Sequence, residues 1–410
     1  MLPKEPAPRL RRDLQIDLIE RDGERFVAMQ DPLGIARDGV ALPYDFYMLL
    51  QIFDGKVTLD DLATQFKQET GEEPDFTLLI ENLNALESLG LMESESYFKA
   101  KAQIEAEWNQ SPERPPICAG GAYPEDPVEL EAELESILAS APGKKFPSPP
   151  DAVVVPHIDF RVGESARNVY ASVWNSVDLN DYDGAIVFGT SHRVSTDYFM
   201  LSEKNYETPA GILKTDTELI KTLRNGSDAL FKIDERAHRF EHSIELAAVF
   251  IAKLAADKPN FTILPVLVGS FFEFLERREL PSSNSRITDF IGRLSTAIDE
   301  SGKKYLLVAS VDFAHIGRKF EDEFDAADKF REMEQSDAEL IERLSRGDAD
   351  GFFQKVGEDM DKWKICGLSP IYSMLRLLGN GRGERLKYGY WDEKETRSGV
   401  SFAGLAFFKS

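Results

Sequence analysis

The sequence contains little cysteine and no long apolar run. Only two of its 410 residues are cysteines, Cys118 and Cys366, and their wide separation argues against a disulfide framework and favours a reducing compartment. No stretch approaches the roughly 20 apolar residues that a membrane span requires, and the basic N-terminus lacks the apolar core of a signal peptide. We therefore expect a cytoplasmic protein without a membrane partner.

Positive charge is also scarce. The chain has 48 lysines and arginines against 72 aspartates and glutamates, which gives a formal net charge of −24. Proteins grip nucleic acids through clustered basic side chains, so we expect no nucleic-acid partner. What the chain does have is a 42% hydrophobic composition, which over this length is enough for more than one folded domain.

The first 100 residues predict a small α+β domain. Apolar and polar side chains alternate over residues 14–30 around the turn pair Asp22 and Gly23, which indicates a β-hairpin. Helical patterns follow over residues 46–53, 59–66 and 76–89. A hairpin with three short helices is the outline of a winged-helix domain, which we place at residues 1–100. Residues 101–116 are polar and end in prolines, so we predict a linker there.

The remainder, residues 117–410, predicts an α/β domain. After a helical pattern at 127–140, apolar runs alternate with helical patterns. The runs cover residues 152–155, 185–188, 261–268 and 305–311. Such runs are typical of a mainly parallel sheet with helices on both faces, a three-layer α/β/α fold. The closing segment 398–408 reads as one more strand, antiparallel at an edge of the sheet.

All five histidines lie in this second domain, and three of them follow directly after a predicted strand. These three are His157, His192 and His315. Because the carboxyl ends of parallel strands line one crevice, we expect the three imidazoles to converge. Neutral imidazoles bind iron, copper and zinc well, so the convergence predicts a metal site. A single histidine in such a place is more often a hydrogen-bonded structural residue, so the prediction depends on the group.

The other two histidines are four residues apart. His238 and His242 would share one face of a helix, as two metal ligands do; the alternative is a surface loop that leads into a charged helix start. The HExxH pattern of zinc proteases is absent, because the glutamates occupy positions 241 and 245.

Two further groups are candidates for the same crevice. Asp312 lies three residues before His315, and such a carboxylate and imidazole can together orient a base or relay a proton. Cys366 lies in a turn before an apolar helix, where a thiolate is stabilised and can bind a metal. A lone cysteine there is otherwise structural.

Several short motifs, in this order, resemble the Memo family from residue 117 to the end. They are AGGAYP (119–124), PHIDF (156–160), GTSH (189–192), ETPAG (207–211), AHRFEHSIE (237–245), LPVLVG (264–269), SVDFAHIGRKF (310–320) and ICG (365–367). The resemblance implies the fold of the class III extradiol dioxygenases, whose iron is held by two histidines and a glutamate. In Memo proteins a cysteine stands in the place of that carboxylate.

The resemblance also implies roles for single residues. It makes His157, His192 and Cys366 the metal ligands and places His242, Asp312 and His315 in the pocket as catalytic candidates. Iron is the first expected metal, with copper or zinc as alternatives. The chain departs from the family pattern where Ile158 and Asp159 replace small residues and where Leu368 follows the ICG motif. Asp159 either hydrogen-bonds a ligand or changes the charge and size of the pocket.

The resemblance leaves function open between two classes. One is a metal-dependent, dioxygenase-like oxidoreductase; the other is a non-catalytic metal or redox protein that supports a radical-SAM partner, as the AmmeMemoRadiSam system of the family implies. A zinc hydrolase is a third, more distant alternative. The segment IFDGKVTLDDLATQF (52–66) resembles PqqD-like winged-helix domains, which implies that residues 1–100 bind a peptide or a radical-SAM protein. The alternative is an accessory domain that only packs on its neighbour.

Overall fold

The computed structural model describes residues 6–21, 23–31, 33–36, 39–193, 196–225 and 230–410. The chain divides into two compact units, Met1–Ser111 and Pro112–Ser410. Asp22, the first residue of the predicted turn, lies outside the described residues. Within the described ranges, no helix combines the length and the apolar character that crossing a bilayer needs.

The N-terminal unit contains an antiparallel sheet in the order β1-β2-β3, together with helices α1 to α4. Its elements are β1 Gln15–Arg21, β2 Glu24–Gln30, β3 Val40–Pro43, α1 Tyr44–Leu50, α2 Leu59–Thr70, α3 Thr77–Ser88 and α4 Glu95–Gln110. The predicted hairpin is confirmed, since β1 and β2 pair antiparallel along their whole length. The three predicted helices are present as α1, α2 and α3. Strand β3 has only four residues, too few for a readable alternation.

The predicted linker at residues 101–116 is wrong over its first ten residues, because α4 runs through them to Gln110. The side chain of Ser94 caps this helix by accepting the Tyr97 N–H, and the segment is rich in Ala, Glu, Gln and Lys, which favour helices. Polarity alone therefore did not indicate a linker. Pro112 follows the helix end, as a residue that cannot continue the helix should.

A buried ion pair organises the loop after β2. The Arg11 guanidinium donates through Nη1 to Asp31 Oδ2 at 2.7 Å, and both side chains are almost fully buried. Asp31 also accepts the backbone N–H groups of Leu33, Ile35 and Ala36. One carboxylate thus accepts hydrogen bonds from a buried cation and from three backbone amides of the loop.

The second unit is built on a sheet with the main path β13-β15-β5-β12-β6-β11-β9-β8-β4. Its strands are β4 Glu113–Arg114, β5 Ala152–Val155, β6 Gly184–Thr190, β7 Phe199–Leu201, β8 Asn205–Thr208, β9 Gly211–Thr215, β10 Lys232–Ile233, β11 Thr262–Val268, β12 Tyr305–Ser310, β13 His315–Gly317, β14 Gly381–Glu393 and β15 Ser398–Lys409. The central strands β5, β12, β6 and β11 are mutually parallel, as predicted.

Helices cover both faces of this sheet, which confirms the three-layer arrangement. The helices are α5 Pro127–Ser140, α6 Glu164–Trp174, α7 Thr217–Arg224, α8 Glu235–Arg239, α9 Glu245–Leu254, α10 Phe272–Arg277, α11 Ser285–Ser301, α12 Phe330–Ser345, α13 Ala349–Gly357 and α14 Leu368–Leu378. Along β5, Ala152 and Val154 enter one core with α11, α12 and α14, whereas Val153 and Val155 enter another with α5, α6 and α9. Alternate residues of one strand therefore serve two cores.

The last predicted strand is present as β15 and is antiparallel, but its predicted edge position is wrong. Strand β15 lies inside the sheet, with β5 and β13 on one side and β14 on the other. The edge position belongs to β14, which pairs only with β15 among the described strands. Its sequence, GRGERLKYGYWDE, mixes charges with glycines and has no apolar run, as suits an exposed edge.

The register of three parallel strands sets the level at which the candidate site forms. Ser310, the last residue of β12, lies opposite Val155 of β5 and Gly189 of β6. The segments that carry His157 and His192 therefore leave the sheet on either side of β12, and the two histidines follow two or three residues past that level.

Replacing Asp31 with asparagine should destabilise the N-terminal unit. The Arg11 guanidinium would keep only its 3.0 Å pair with the more exposed Asp13, and the loss of a buried partner costs up to about 3–5 kcal/mol. Hydrogen exchange at the amides of Ile35 and Ala36 should accelerate accordingly. The control Asp17→Asn changes an exposed residue of β1 and should leave exchange unchanged. Equal exchange in the two variants would contradict the role of the pair.

Candidate metal centre

Three donor atoms from distant parts of the chain meet at the carboxyl end of the sheet. The Nε2 atom of His157 lies 3.2 Å from the Sγ atom of Cys366, and the Nε2 atom of His192 lies 3.3 Å from the same sulfur. All three donors lie within 4.8 Å of one another. Metal–nitrogen and metal–sulfur bonds are about 2.0–2.3 Å long, so one ion can reach all three.

The ring of His157 is held by the backbone of β12. Its Nδ1 atom lies 2.8 Å from the carbonyl oxygen of Ser310. A carbonyl oxygen only accepts hydrogen bonds, so Nδ1 carries the proton and Nε2 presents its lone pair to Cys366. Burial and the neighbouring imidazoles of His242 and His192 lower the pKa of His157 well below its usual value. The ring is therefore neutral, the form that binds a metal.

The ring of His192 is held by the carboxylate of Glu241. Glu241 accepts the Nδ1–H of His192 at 2.9 Å and its backbone N–H at 2.7 Å. Burial lowers the pKa of His192, but the Cys366 sulfur and the Glu241 carboxylate outweigh it and raise the pKa to about 11. A metal ion would compete with that proton for Nε2. Hydrogen bonds of this kind orient metal-binding histidines in many proteins.

Glu241 is a site residue that the sequence analysis missed. It is nearly fully buried and also accepts the backbone N–H of Ser243 at 3.0 Å. Burial raises its pKa, but hydrogen bonds from His192 and His242 outweigh burial and keep the pKa well below its usual value. Its place beside His242 in the EHSIE segment was the available signal, yet its partner, His192, is 49 residues away in sequence.

Cys366 is fixed to the segment that leaves β12. Its backbone N–H donates to the Phe313 carbonyl oxygen at 3.1 Å, and the Gly367 N–H donates to the Asp312 carbonyl oxygen at 2.9 Å. A Cβ atom on Gly367 would come within 3.0 Å of that Asp312 oxygen, so the close approach requires glycine. The thiol consequently stands between the two histidines, just before α14.

His242 and Asp312 adjoin the three donors. The ring centroid of His242 lies 5.1 Å from that of His157 and 4.8 Å from that of His192. Asp312 accepts the His157 backbone N–H at 3.2 Å, and its Oδ2 atom lies 3.8 Å from His157 Nε2. Burial outweighs that hydrogen bond and raises the pKa of Asp312 to about 7. Both groups therefore border the three donors.

His315 does not join the donors, although its position after a strand predicted that it would converge with them. Its Nδ1 atom lies 3.1 Å from the carbonyl oxygen of Phe313, and its ring packs edge-on against Phe320 at 5.0 Å. The donor groups found among the described residues do not include it. The chain forms the separate strand β13 at His315, and this strand pairs with β15 away from the parallel strands.

His238 is a structural residue, so a shared helical face with His242 is wrong. Helix α8 ends at Arg239, before His242 is reached. His238 is fully buried, and its two ring nitrogens lie 2.7 Å from the Tyr206 hydroxyl and 2.8 Å from the Met200 carbonyl oxygen. Burial lowers its pKa to about 4. Both nitrogens are occupied and neither can bind an ion.

A fully buried ion pair between Arg114 and Glu245 supports the loop that carries Glu241. The Arg114 guanidinium donates to the carbonyl oxygens of His238 at 2.8 Å and Glu241 at 2.7 Å. Glu245 accepts the Cys118 N–H at 2.8 Å and the Tyr123 hydroxyl. The start of the second unit is thereby tied to the centre.

The structure shows the surroundings of the three residues that depart from the family pattern, Ile158, Asp159 and Leu368. The Asp159 carboxylate accepts hydrogen bonds from Arg161 Nε at 3.0 Å and Nη2 at 2.7 Å. Ile158 is buried, and Leu368 is buried at the start of α14. The partner of Asp159 is thus a neighbouring arginine, which offsets its charge.

A second set of donors, His192, Glu241 and His242, also lies close enough for one ion. Here, however, both His192 Nδ1 and His242 Nδ1 lie within 3.2 Å of the same carboxylate oxygen, Glu241 Oε1. Those are hydrogen-bond distances, and Nδ1 of His192 cannot both donate to Glu241 and bind a metal. We therefore take this set as the support of the first.

Most of the similarity to known proteins lies in the second unit. A family model described as "Memo-like protein" matches residues 114–406. A MEMO1 family protein of Methanosarcina barkeri is 28% identical over 279 residues, 67% of this chain and 91% of the relative. A MEMO1 family protein of Sulfolobus acidocaldarius is 30% identical over 277 residues, 64% of this chain and 87% of the relative.

The alignment with one relative extends beyond the second unit. A MEMO1 family protein of Aquifex aeolicus is 29% identical over 391 residues, which is 94% of this chain and 96% of the relative. An alignment of that length must include most of the N-terminal unit. The similarity to that bacterial relative therefore extends over sequence from both units.

Replacing Glu241 with glutamine should lower the pKa of His192. The variant removes the negative charge that stabilises the protonated ring, and an amide group cannot accept all the N–H groups that the carboxylate accepts. The measurement is an NMR titration of the His192 ring in metal-free protein. Glu207→Gln, at an exposed residue of β8, is the control. A titration of His192 that is the same in wild type and Glu241→Gln would contradict the role given to this carboxylate.

Proposed function

The chain belongs to the Memo-like protein family, and from this membership and the geometry of its cleft we propose that it is a metal-binding redox protein. In this proposal one iron ion is bound by Nε2 of His157, Nε2 of His192 and the thiolate of Cys366. One observation carries the proposal: each imidazole uses Nδ1 in a hydrogen bond to the protein, and both Nε2 atoms lie within 3.3 Å of one sulfur. Structural histidines such as His238 use both nitrogens.

The donor set limits the choice of metal. Two imidazoles and one thiolate are softer than two imidazoles and one carboxylate, which favours Fe(II) or Cu(I) over magnesium or calcium. Zinc accepts the same donors, so a zinc site is the alternative to a redox site. Bound iron would supply one-electron redox chemistry and an open position for a small molecule.

The surrounding residues can move protons at that position. Asp312 is buried with a pKa of about 7, so near neutral pH it can both donate and accept a proton. The ring of His242 faces the two histidine ligands and is anchored through Nδ1 at 3.2 Å from Glu241 Oε1. We therefore assign proton transfer to Asp312 and His242. Burial lowers the pKa of His315 to about 4, so in this proposal it would act as a neutral base outside the donor group.

A second candidate function is a non-catalytic metal or redox protein that supports a radical-SAM partner of the AmmeMemoRadiSam system. The observation that favours it is the thiolate itself, because sulfur stabilises a bound ion and moves the site away from ordinary ring-cleaving chemistry. Oxygen uptake distinguishes the two functions. The oxidoreductase consumes O₂ in a metal-dependent manner in the presence of a substrate, and the support protein does not.

We also propose that the N-terminal unit binds that partner or a peptide along β1. The strand is exposed over nearly its whole length, and Ile16, Leu18 and Ile19 are 41%, 62% and 41% exposed. Strand β1 pairs only with β2 among the described strands, which makes it an edge strand of its sheet, the kind of strand to which a peptide can add another. Exposed apolar side chains on an unpaired edge strand are otherwise a liability.

Metal analysis of anaerobically purified protein tests the ligand set. The variants His157→Ala, His192→Ala and Cys366→Ser should each lose the bound iron, because each removes one of three protein ligands. His315→Ala should keep it, because that ring lies outside the donor group. Elemental analysis per polypeptide gives the answer directly. Equal iron content in wild type and His192→Ala would refute the proposed site, and zinc in place of iron would favour the hydrolytic alternative.

A binding assay with the purified radical-SAM partner and the full chain tests the proposed β1 interface. Leu18→Arg should abolish binding, because it places a charge in the centre of the apolar edge strand. The matched control is Leu78→Arg on α3, where an exposed leucine lies outside the sheet. Retained binding by Leu18→Arg, or an equal loss in both variants, would contradict a β1 interface.

A further inference from the structure

The sulfur of Cys366 has a third neighbour besides the two histidines. The Oγ1 atom of Thr190 lies 3.3 Å from Cys366 Sγ and 2.9 Å from the carbonyl oxygen of the same cysteine. Thr190 is the last residue of β6. Neither the family resemblance nor the ligand set gives this hydroxyl a function.

The position of Thr190 is rigidly determined. Its carbonyl oxygen accepts the Ser243 hydroxyl at 2.8 Å, which joins the end of β6 to the loop after Glu241. The approach is so close that a Cβ atom on Gly189 would lie 2.5 Å from Ser243 Oγ. Because strand β6 and the Ser243 hydroxyl hold Thr190 in place, its own hydroxyl stays near the sulfur.

In the metal-free thiol form, the hydrogens around this hydroxyl form a directed chain. The Cys366 S–H donates to Thr190 Oγ1, and the Thr190 hydroxyl donates to the Cys366 carbonyl oxygen. Metal binding removes the thiol proton to solvent, because the ligand is the thiolate. Only the threonine hydrogen then remains, and it has two acceptors within reach. The charged sulfur is the stronger of the two.

The backbone amides of the cysteine and of the next two residues already have acceptors. The N–H groups of Cys366, Gly367 and Leu368 donate to the carbonyl oxygens of Phe313, Asp312 and Ile365. The remaining hydrogen-bond contacts of the sulfur are the Nε2 atoms of His157 and His192, which the metal would occupy. The Thr190 hydroxyl is therefore the one donor that these described contacts leave for the bound thiolate.

We propose that the Thr190 hydroxyl turns from the Cys366 carbonyl oxygen to the Cys366 thiolate when the metal binds, and thereby sets how strongly the sulfur donates electron density to the ion. The inference rests on the proposed metal-binding function. A hydrogen bond to a metal-bound sulfur withdraws electron density from it, which favours the reduced metal and raises the energy of sulfur-to-metal charge transfer. Thr190 is thus a tuning residue and does not itself bind the metal.

The test uses Co(II)-loaded full-length protein and the variants Thr190→Val and Thr190→Ser. Valine keeps the shape but lacks the hydroxyl, so the sulfur-to-cobalt charge-transfer band should move to lower energy and the Co(II) affinity should fall by about tenfold. Serine restores the hydroxyl and should restore both values. Thr208→Val is the matched control, since it removes a buried hydroxyl that donates to the Gly211 carbonyl oxygen. It should change neither value.

The possible outcomes distinguish a failure of the Thr190 proposal from a failure of the proposed metal-binding function. A Thr190→Val band at the wild-type energy overturns the inference, and so does a serine variant that shifts as far as valine, because a purely structural threonine would behave in these ways. A Cys366→Ser spectrum identical to that of wild type would remove sulfur from the ligand set and overturn both proposals together.

A measurement on the wild-type protein covers the case in which Thr190→Val does not fold. The threonine proton is exchangeable, so the metal–sulfur stretching band of the Fe(III) form in resonance Raman spectra should move when H₂O is replaced by D₂O. Thr190→Ser should show the same movement. An identical stretching frequency in both solvents would contradict a hydrogen bond from Thr190 to the sulfur.

Discussion

The candidate centre depends on one buried carboxylate, that of Glu241. It accepts hydrogen bonds from the backbone and ring of His192 and from the backbone of Ser243, and it lies at hydrogen-bond distance from the ring of His242. A carboxylate in a nearly dry environment is stable only if such donors surround it. The same bonds that keep Glu241 ionised fix the direction of His192. The same contacts therefore orient the His192 ring and stabilise the buried carboxylate.

The support extends outward in layers. The loop around Glu241 is held by the Arg114 guanidinium, and Arg114 is neutralised by Glu245. On the other side, the Ser310 carbonyl oxygen directs His157, and the Asp312 carbonyl oxygen holds the turn after Cys366. Much of this scaffolding is backbone carbonyl oxygen, whose position the sheet determines. A fold of this kind can retain its centre while the surrounding side chains vary.

The sequence predicted the elements that carry long apolar runs and the residues that follow them. Strands β5, β6, β11 and β12 were predicted for this reason, and with them the meeting of His157 and His192. It did not indicate β14, whose charges suit an exposed edge, or α4, whose polarity resembled a linker. His315 was expected to converge with the other two imidazoles but lies outside the donor group, because a position after a strand does not tell whether the chain turns into the crevice or starts a new strand. Glu241 and Arg114 were missed because their partners are distant in sequence.

The three donor residues are far apart along the chain, and this separation determines when the centre can form during synthesis. The sulfur of Cys366 meets the ring of His157 across 209 residues and that of His192 across 174. Domains fold as units during synthesis, and contacts of such range close late. A ribosome must therefore release nearly the entire polypeptide before the pocket exists. In the proposed function, loading of the ion is consequently a late maturation step, and a truncated product that ended before Cys366 would have the two imidazoles but not the thiol.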